Sequence, residues 1–262
     1  MVDKDRVISL TDSACEDPSR VGGKAATLSR LKNNGHFYRV PWGYVITEPV
    51  SSILNLDGRK IPWAVRSSAV GEDGSSSSYA GMHDSILNVQ GKANIKDAVN
   101  KVFDSVNSSR ATAYRKAMGI DKAPKMCVLV QEQVQNVMMS GTAFSTHPVT
   151  GENKTVIEAE AGLGGVVDGR IIPTTVIVPN KNRDESAIDC KGLPELLVKQ
   201  VLSLCDDLRA SEGHPVDVEW CYGIKPNAWS SHGLTASLIF AVSLLQCREI
   251  TTVPVTGFTN DW

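Results

Sequence analysis

Apolar residues recur at helical spacing in three stretches of the chain. From Gly22 to Gly35, Ala25, Leu28 and Leu31 mark a short helix entered through a pair of glycines. From Ile95 to Ala117, the residues Ile95, Val99, Val102, Val106, Ala113 and Ala117 share one face and predict a single amphipathic helix. From Pro194 to Arg209, Leu197, Val201, Leu204 and Leu208 do the same. Elsewhere the apolar residues come in short runs bounded by turn formers, which is the pattern of strands. These runs are Tyr44 to Thr47, Trp63 to Arg66, Cys127 to Val134, Thr142 to Phe144, Thr155 to Ala159, Thr174 to Val178, Val216 to Trp220 and Ser243 to Cys247. Several follow one another with no helix between, so the pattern predicts an α+β fold with mostly antiparallel strands. Ser67 to Gly81, which holds Gly71, Gly74 and the serines Ser75 to Ser78, reads as a loop. The chain has no internal repeat.

At 262 residues the chain is long enough for one large domain or two small lobes. A net charge of -2 argues against bulk attraction to nucleic acid or an anionic membrane and leaves room for a local anion site. Cys15, Cys127, Cys190, Cys205, Cys221 and Cys247 are scattered without a C-x-x-C pair. They read as free thiols in a reducing compartment rather than as a disulfide frame or a zinc site. The opening MVDKDRVISL carries charges where a signal peptide needs apolar residues. The longest apolar run, Leu238 to Leu245, is far short of the roughly 20 residues of a membrane span. A soluble, cytoplasmic protein is expected.

Three places carry candidate chemistry. Gly22-Gly23-Lys24 at a helix start offers backbone N–H groups, the positive helix end and an ammonium to one anion, although the Walker spacing is absent and an exposed lysine is the plainer alternative. Arg66 ends a buried strand and is followed by Ser67, Ser68 and the glycine-serine loop, a set suited to a phosphate chain. A strand-end arginine paired to a surface carboxylate fits the same residues. In Asp217-Val218-Glu219-Trp220 alternation sets Asp217 and Glu219 on one face, and in Leu245-Gln246-Cys247-Arg248 it sets Gln246 and Arg248 on one face. If the two strands pair, Glu219, Gln246 and Arg248 converge as an oxygen site for magnesium beside a cation for phosphate. Two amphipathic strands with wet polar faces are the alternative. The histidines His36, His83, His147, His214 and His232 have no metal-ligand spacing, and no Ser/His/Asp set stands out.

Taken in order, these segments resemble a known family along almost the whole chain. Val21-Gly22-Gly23-Lys24-Ala25-Ala26, Val40 to Thr47, Ala64-Val65-Arg66-Ser67-Ser68-Ala69 with Glu72-Asp73, and Tyr79-Ala80-Gly81 with Leu87-Asn88-Val89 carry the first half of the match. Val128-Leu129-Val130-Gln131, Ser140 to Phe144, Pro148 to Gly151, Gly162-Leu163-Gly164, Asp217 to Trp220 and Leu245 to Thr251 carry the second. The chain resembles the ATP-binding domain of phosphoenolpyruvate synthase and pyruvate phosphate dikinase, and is also similar to rifampicin phosphotransferase. The resemblance implies an ATP-grasp fold, with a first lobe over 1–125, a second over 126–252 and a tail over 253–262. It also implies ATP and Mg2+ as cofactors and assigns roles to matched residues. Lys24 and Arg66 contact phosphates, and Gly81 and Ser85 sit in the loop that covers them. Gln131 lies near the adenine, Glu219 and Gln246 hold magnesium, and Arg248 reaches the phosphate end. Arg66 and Arg248 are the catalytic candidates.

In that family phosphate passes from ATP to a histidine on a separate domain, so a phosphohistidine domain and an acceptor-binding domain on another chain are the expected partners. His232, in Ser231-His232-Gly233, lacks the glycine-rich lead-in of such a motif and is taken as a surface residue. The chain departs from the family's pattern in several places. The stretches from Thr47 to Trp63 and from Pro179 to Gly213 are short, and Gly165 and Thr174 stand where acidic residues are common. Gly223 to Ser243 reads as an insertion between the two strands of the magnesium site. Three functions therefore stand side by side: a phosphotransferase domain acting on a histidine supplied in trans, a truncated or degenerate nucleotide-binding protein without catalysis, and a ligase that forms an acyl phosphate. The last needs an acceptor site that no segment supplies.

Overall fold

Two antiparallel sheets of five strands organise the chain. The computed structural model describes residues 6–33, 40–49, 61–71, 85–162, 172–225 and 239–249, with only the backbone described at 33, 224–225 and 239–249. The first sheet contains β1 (Val7–Ser9), β2 (Gly43–Ile46), β3 (Trp63–Ala69), β4 (Ser85–Val89) and β5 (Met126–Glu132), in the spatial order β1-β2-β5-β3-β4. The second contains β6 (Val137–Phe144), β7 (Lys154–Ala161), β8 (Thr174–Pro179), β9 (Val216–Lys225) and β10 (Ile239–Glu249), in the order β10-β9-β6-β7-β8. The chain thus crosses between sheets after Glu132, beyond the 125/126 lobe boundary expected from the resemblance. The mixture of helices and antiparallel strands is the α+β class that the hydrophobic pattern predicts.

Alternation along the strands sorts each sheet into two faces. One face of the first sheet, with Tyr44, Ile46, Trp63, Val65, Val128 and Val130, packs on Ile95, Ala98, Val99 and Val102 of α3 (Lys92–Asp104). Its other face, with Val45, Cys127 and Leu129, meets α1 (Pro18–Val21) and α2 (Gly23–Asn33) through Val21, Ala25, Ala26 and Leu28. The same core continues into the second sheet, where Ala143, Ile157, Val218 and Trp220 pack on Leu197, Val201, Leu204 and Leu208 of α5 (Glu195–Glu212). Helix α5 ends where Gly213 takes a left-handed turn at φ +76° and its N–H closes on the Arg209 carbonyl. Helix α2 also packs against β10, so it bridges the two sheets.

One expectation needs correction. The predicted single helix from Ile95 to Ala117 is broken: α3 stops at Asp104, a 3-10 turn spans Ser105–Asn107, and α4 runs over Ser109–Ala117. Serines cause the break. Ser105 Oγ donates to the Val102 carbonyl at 2.7 Å, and Ser108 Oγ accepts from Ala111 N–H at 3.2 Å as the N-cap of α4. The segment from Gly223 to Ser243, read as an insertion, joins the ladder at its two ends. β9 and β10 stay paired as far as Lys225 opposite Ile239, leaving only residues 226–238 between them.

Candidate functional site

The glycine turn that opens α2 is held to β3 by one hydroxyl. Ser68 Oγ donates to the Val21 carbonyl at 2.8 Å and accepts from Ala25 N–H at 3.1 Å, which ties up one of the helix's free N–H groups. Gly22 has φ +84°, and a Cβ there would lie 2.2 Å from the Ser68 carbonyl oxygen, so the close approach of turn and strand requires glycine. This contact puts Lys24, the second residue of α2, beside the face of β3 that carries Ser68 and Arg66. Lys24 is buried, not the exposed lysine that the plainer sequence reading allows.

Arg66 sits at the middle of β3, in register with Ser85 on one neighbour and Leu129 on the other. Ser85, expected in the loop over the phosphates, is thus the exposed first residue of β4, directly across from Arg66. Arg66 Nη1 reaches out of the first sheet to Glu219 Oε2 of the second at 3.2 Å, with the two side chains 11% and 20% exposed. Arg66 Nε is buried and has no hydrogen-bond partner among the described residues. One edge of the guanidinium is therefore engaged and another can still donate to an oxygen.

Glu219 stands in a row across the second sheet. It is in register with Gln246 of β10 on one side and with Thr142 of β6 on the other. Arg248 is opposite Asp217, which is buried. A bulge makes the first pairing possible. Leu244 pairs with Trp220 and Gln246 with Glu219, so Leu245 is the extra residue. Without it the ladder would set Gln246 opposite Val218, on the face packed against α5. The insertion therefore does not separate Glu219 from Gln246 along the ladder.

Gln131, in register with Ala64 and Gly43, is 1% exposed and donates through Nε2 to the Pro41 carbonyl at 3.3 Å. Gly81 lies outside the described residues. The geometry thus gathers Ser85, Arg66, Glu219 and the register positions of Gln246 and Arg248, with Lys24 alongside, while Gln131 lies two residues along β5 from Leu129, the residue opposite Arg66, and is anchored to the segment before β2. Pattern reading missed the Ser68 clamp, whose only trace was the run Arg66-Ser67-Ser68. It also missed the Thr142–Glu158 hydrogen bond of 3.1 Å, which no sequence spacing signals.

Glu219 and Gln246 are hard oxygen donors of the kind magnesium takes. Among the described residues no three His, Cys, Asp or Glu side chains group as a metal site. The donors fit a cation that shares its shell with phosphate oxygens better than one in an all-protein cage. No helix among the described residues is long and apolar enough to cross a membrane.

The family described as "Pyruvate phosphate dikinase, AMP/ATP-binding domain" matches residues 49–193. The chain is 32% identical over 180 residues to the phosphoenolpyruvate synthase of Aeropyrum pernix, an alignment covering 63% of this chain and 22% of that protein. It is 31% identical over 201 residues to the rifampicin phosphotransferase of Streptomyces sviceus, covering 66% of this chain and 23% of that one. The chain thus spans well under half the length of these relatives. Among solved structures it aligns with D-alanine–D-alanine ligase from Helicobacter pylori at 13% identity and a TM-score of 0.47, over 88% of this chain and 55% of that one. On the family match, which takes in more than half of its residues, the chain belongs to the pyruvate phosphate dikinase AMP/ATP-binding domain family.

Proposed function

We propose that the chain binds magnesium-ATP between its two sheets, as the nucleotide-binding part of a phosphotransferase of the phosphoenolpyruvate synthase type. Lys24 and Arg66 contact the phosphate chain, Gly81 and Ser85 belong to the segment that covers it, and Gln131 serves the adenine end. Glu219 and Gln246 hold magnesium, and Arg248 reaches the terminal phosphate. Magnesium, when bound, neutralises charge on the phosphate oxygens. Arg66 and Arg248 stabilise the charge that develops on the phosphate in transfer. The acceptor is a histidine on a separate domain or chain, with an acceptor-binding domain beyond it. In this reading the lobes are 1–125 and 126–252, with β5 as the strand that the second lobe lends to the first sheet and 253–262 as a tail. The protein works in the cytoplasm.

The observation that carries the reading is the 3.2 Å approach of Arg66 Nη1 to Glu219 Oε2, with Gln246 in register beside Glu219. A phosphate-binding cation and a magnesium-binding carboxylate meet there from facing sheets, with the register position of Gln246 beside them. Arg66 and Glu219 neutralise each other where they meet, and magnesium-ATP offers each a partner of the right sign.

Calorimetric titration with ATP and magnesium tests this, with Arg66→Ala as the control. The expected result is micromolar, magnesium-dependent binding that Arg66→Ala weakens by at least about tenfold, since hydrogen bonds to charged groups contribute about 1.5–3 kcal/mol. A folded wild-type sample that binds no nucleotide would sink the proposal.

A further inference from the structure

Four consecutive polar residues share one row on the face of the second sheet that meets Arg66, and Thr175 of β8 continues the row beyond Glu158. Gln246 is opposite Glu219, Glu219 is opposite Thr142, and Thr142 is opposite Glu158, on four adjacent strands. Residues directly opposite in an antiparallel ladder share a face, with Cβ atoms about 4.5–5.5 Å apart. The proposed function uses the first two members of the row and leaves Thr142 and Glu158 without a role.

The hydrogen bond between these two has a direction. Thr142 Oγ1 donates to Glu158 Oε2 at 3.1 Å. A threonine hydroxyl has one proton and two lone pairs, and an ionised carboxylate can only accept. With its proton committed to Glu158, Thr142 presents lone pairs alone to the space beside Glu219. Glu158 has no ion-pair partner among the described residues, so no neighbouring cation explains its half-buried carboxylate. The strand itself does not need either group: valine has the shape of threonine and an equal liking for a ladder.

Resting on the proposed magnesium-nucleotide site, we infer that Thr142, oriented by Glu158, is a positioning residue for the cation held at Glu219. Its lone pairs accept a hydrogen bond from water in the cation's shell. Magnesium sheds its waters reluctantly and keeps several of them when it binds through one or two side chains and phosphates. Acceptors that orient such outer-shell groups typically alter metal affinity by about 10–100-fold. Glu158 stands two strands from Glu219, about 9–10 Å, which is too far for both carboxylates to ligate one ion. It acts through Thr142.

The test uses Mn2+ as the probe, read by electron paramagnetic resonance in the presence of a non-hydrolysable ATP analogue. Affinity for the same analogue in EDTA is measured in parallel. Thr142→Val is expected to weaken Mn2+ binding about tenfold or more, with nucleotide affinity in EDTA unchanged, and Thr142→Ser to restore it. Glu158→Leu is expected to weaken Mn2+ binding in the wild-type background and to add nothing in Thr142→Val. A Thr142→Val protein that melts as wild type does and binds Mn2+ equally well overturns the inference, as do additive effects of the two substitutions. A merely structural role would move the melting temperature and leave the Mn2+ affinity alone. Should the wild-type protein show no metal-dependent nucleotide binding, the proposed function fails and this inference fails with it. Wild-type binding with a silent Thr142→Val removes the inference alone.

Discussion

Gly22 is the residue on which the proposed phosphate-binding end of the first sheet depends. Its φ of +84° and ψ of 159° lie in a region that only glycine enters freely, and Ser68 crowds the place a side chain would take. Both penalties would arise from a Cβ placed on residue 22. Gly22→Ala is therefore expected to cost at least about 2 kcal/mol, read as a lower urea midpoint with an unchanged slope. The same substitution must move the start of α2 away from β3, and Lys24 with it, so nucleotide binding should weaken in the folded fraction as well. Gly141 has a comparable constraint, since a Cβ there would lie 1.8 Å from the Glu158 carbonyl oxygen. That glycine lets β6 and β7 approach beside the Thr142–Glu158 pair.

Among the elements, the hairpin of β9 and β10 decides whether the proposed magnesium donors come into register. Sequence alternation correctly groups Glu219 with Asp217 and Gln246 with Arg248, but says nothing about which faces coincide. The bulge at Leu245 settles that, and a bulge is one residue whose presence depends on how the partner strand pairs. Because the ladder is continuous up to Lys225 opposite Ile239, residues 226–238 can be replaced by Asn-Gly, the sequence of a two-residue hairpin turn. The shortened protein is expected to bind magnesium-ATP within about twofold of wild type by calorimetry, since loop length contributes only weakly to stability. Loss of binding would mean that the connecting segment itself takes part in the site. Strand β4 has a matching irregularity. Its register slips beside Asn88, at φ +58°, and Gln133 Nε2 donates to Asn88 Oδ1 at 2.8 Å, fastening the strand to the crossing between sheets.

Over the whole molecule, the core that runs from the first sheet through α2 to α5 carries buried thiols whose chemistry makes stability pH-dependent. Burial pushes Cys15 and Cys127 up to about 11 and Cys205 up to about 12, from an ordinary value of 9.0. Between those limits the unfolded chain has released its thiol protons and the folded chain has kept them. The unfolded state then binds fewer protons, so the free energy of unfolding falls as pH rises. This contribution to stability is complete below pH 9 and is lost as pH climbs through about 11 for Cys15 and Cys127 and about 12 for Cys205. At about pH 10 each thiol should cost roughly 1 kcal/mol, visible as a lower urea midpoint than at pH 8, and Cys205→Ala should flatten the alkaline slope. Two ion pairs, Arg30 with Glu212 at 2.8 Å and Arg66 with Glu219 at 3.2 Å, cross between the halves of the chain beside this core.

The sequence by itself determined the α+β class, most strands and the helices that open at Gly23 and Glu195, and it nominated the phosphate and magnesium candidates. Those properties follow from periodicity and from motif order, both of which are local in the chain. It misjudged the helix after Ile95, because serine hydroxyls compete for backbone groups in a way that apolar spacing does not record. Only the tertiary structure decided which candidates meet. The pairing of Glu219 with Gln246 rests on a bulge, the approach of Arg66 rests on one sheet facing another, and the burial of Lys24 rests on a serine from a strand 44 residues later in the chain. Each is a contact between segments distant in sequence, where register and packing set the outcome and no local pattern can state it.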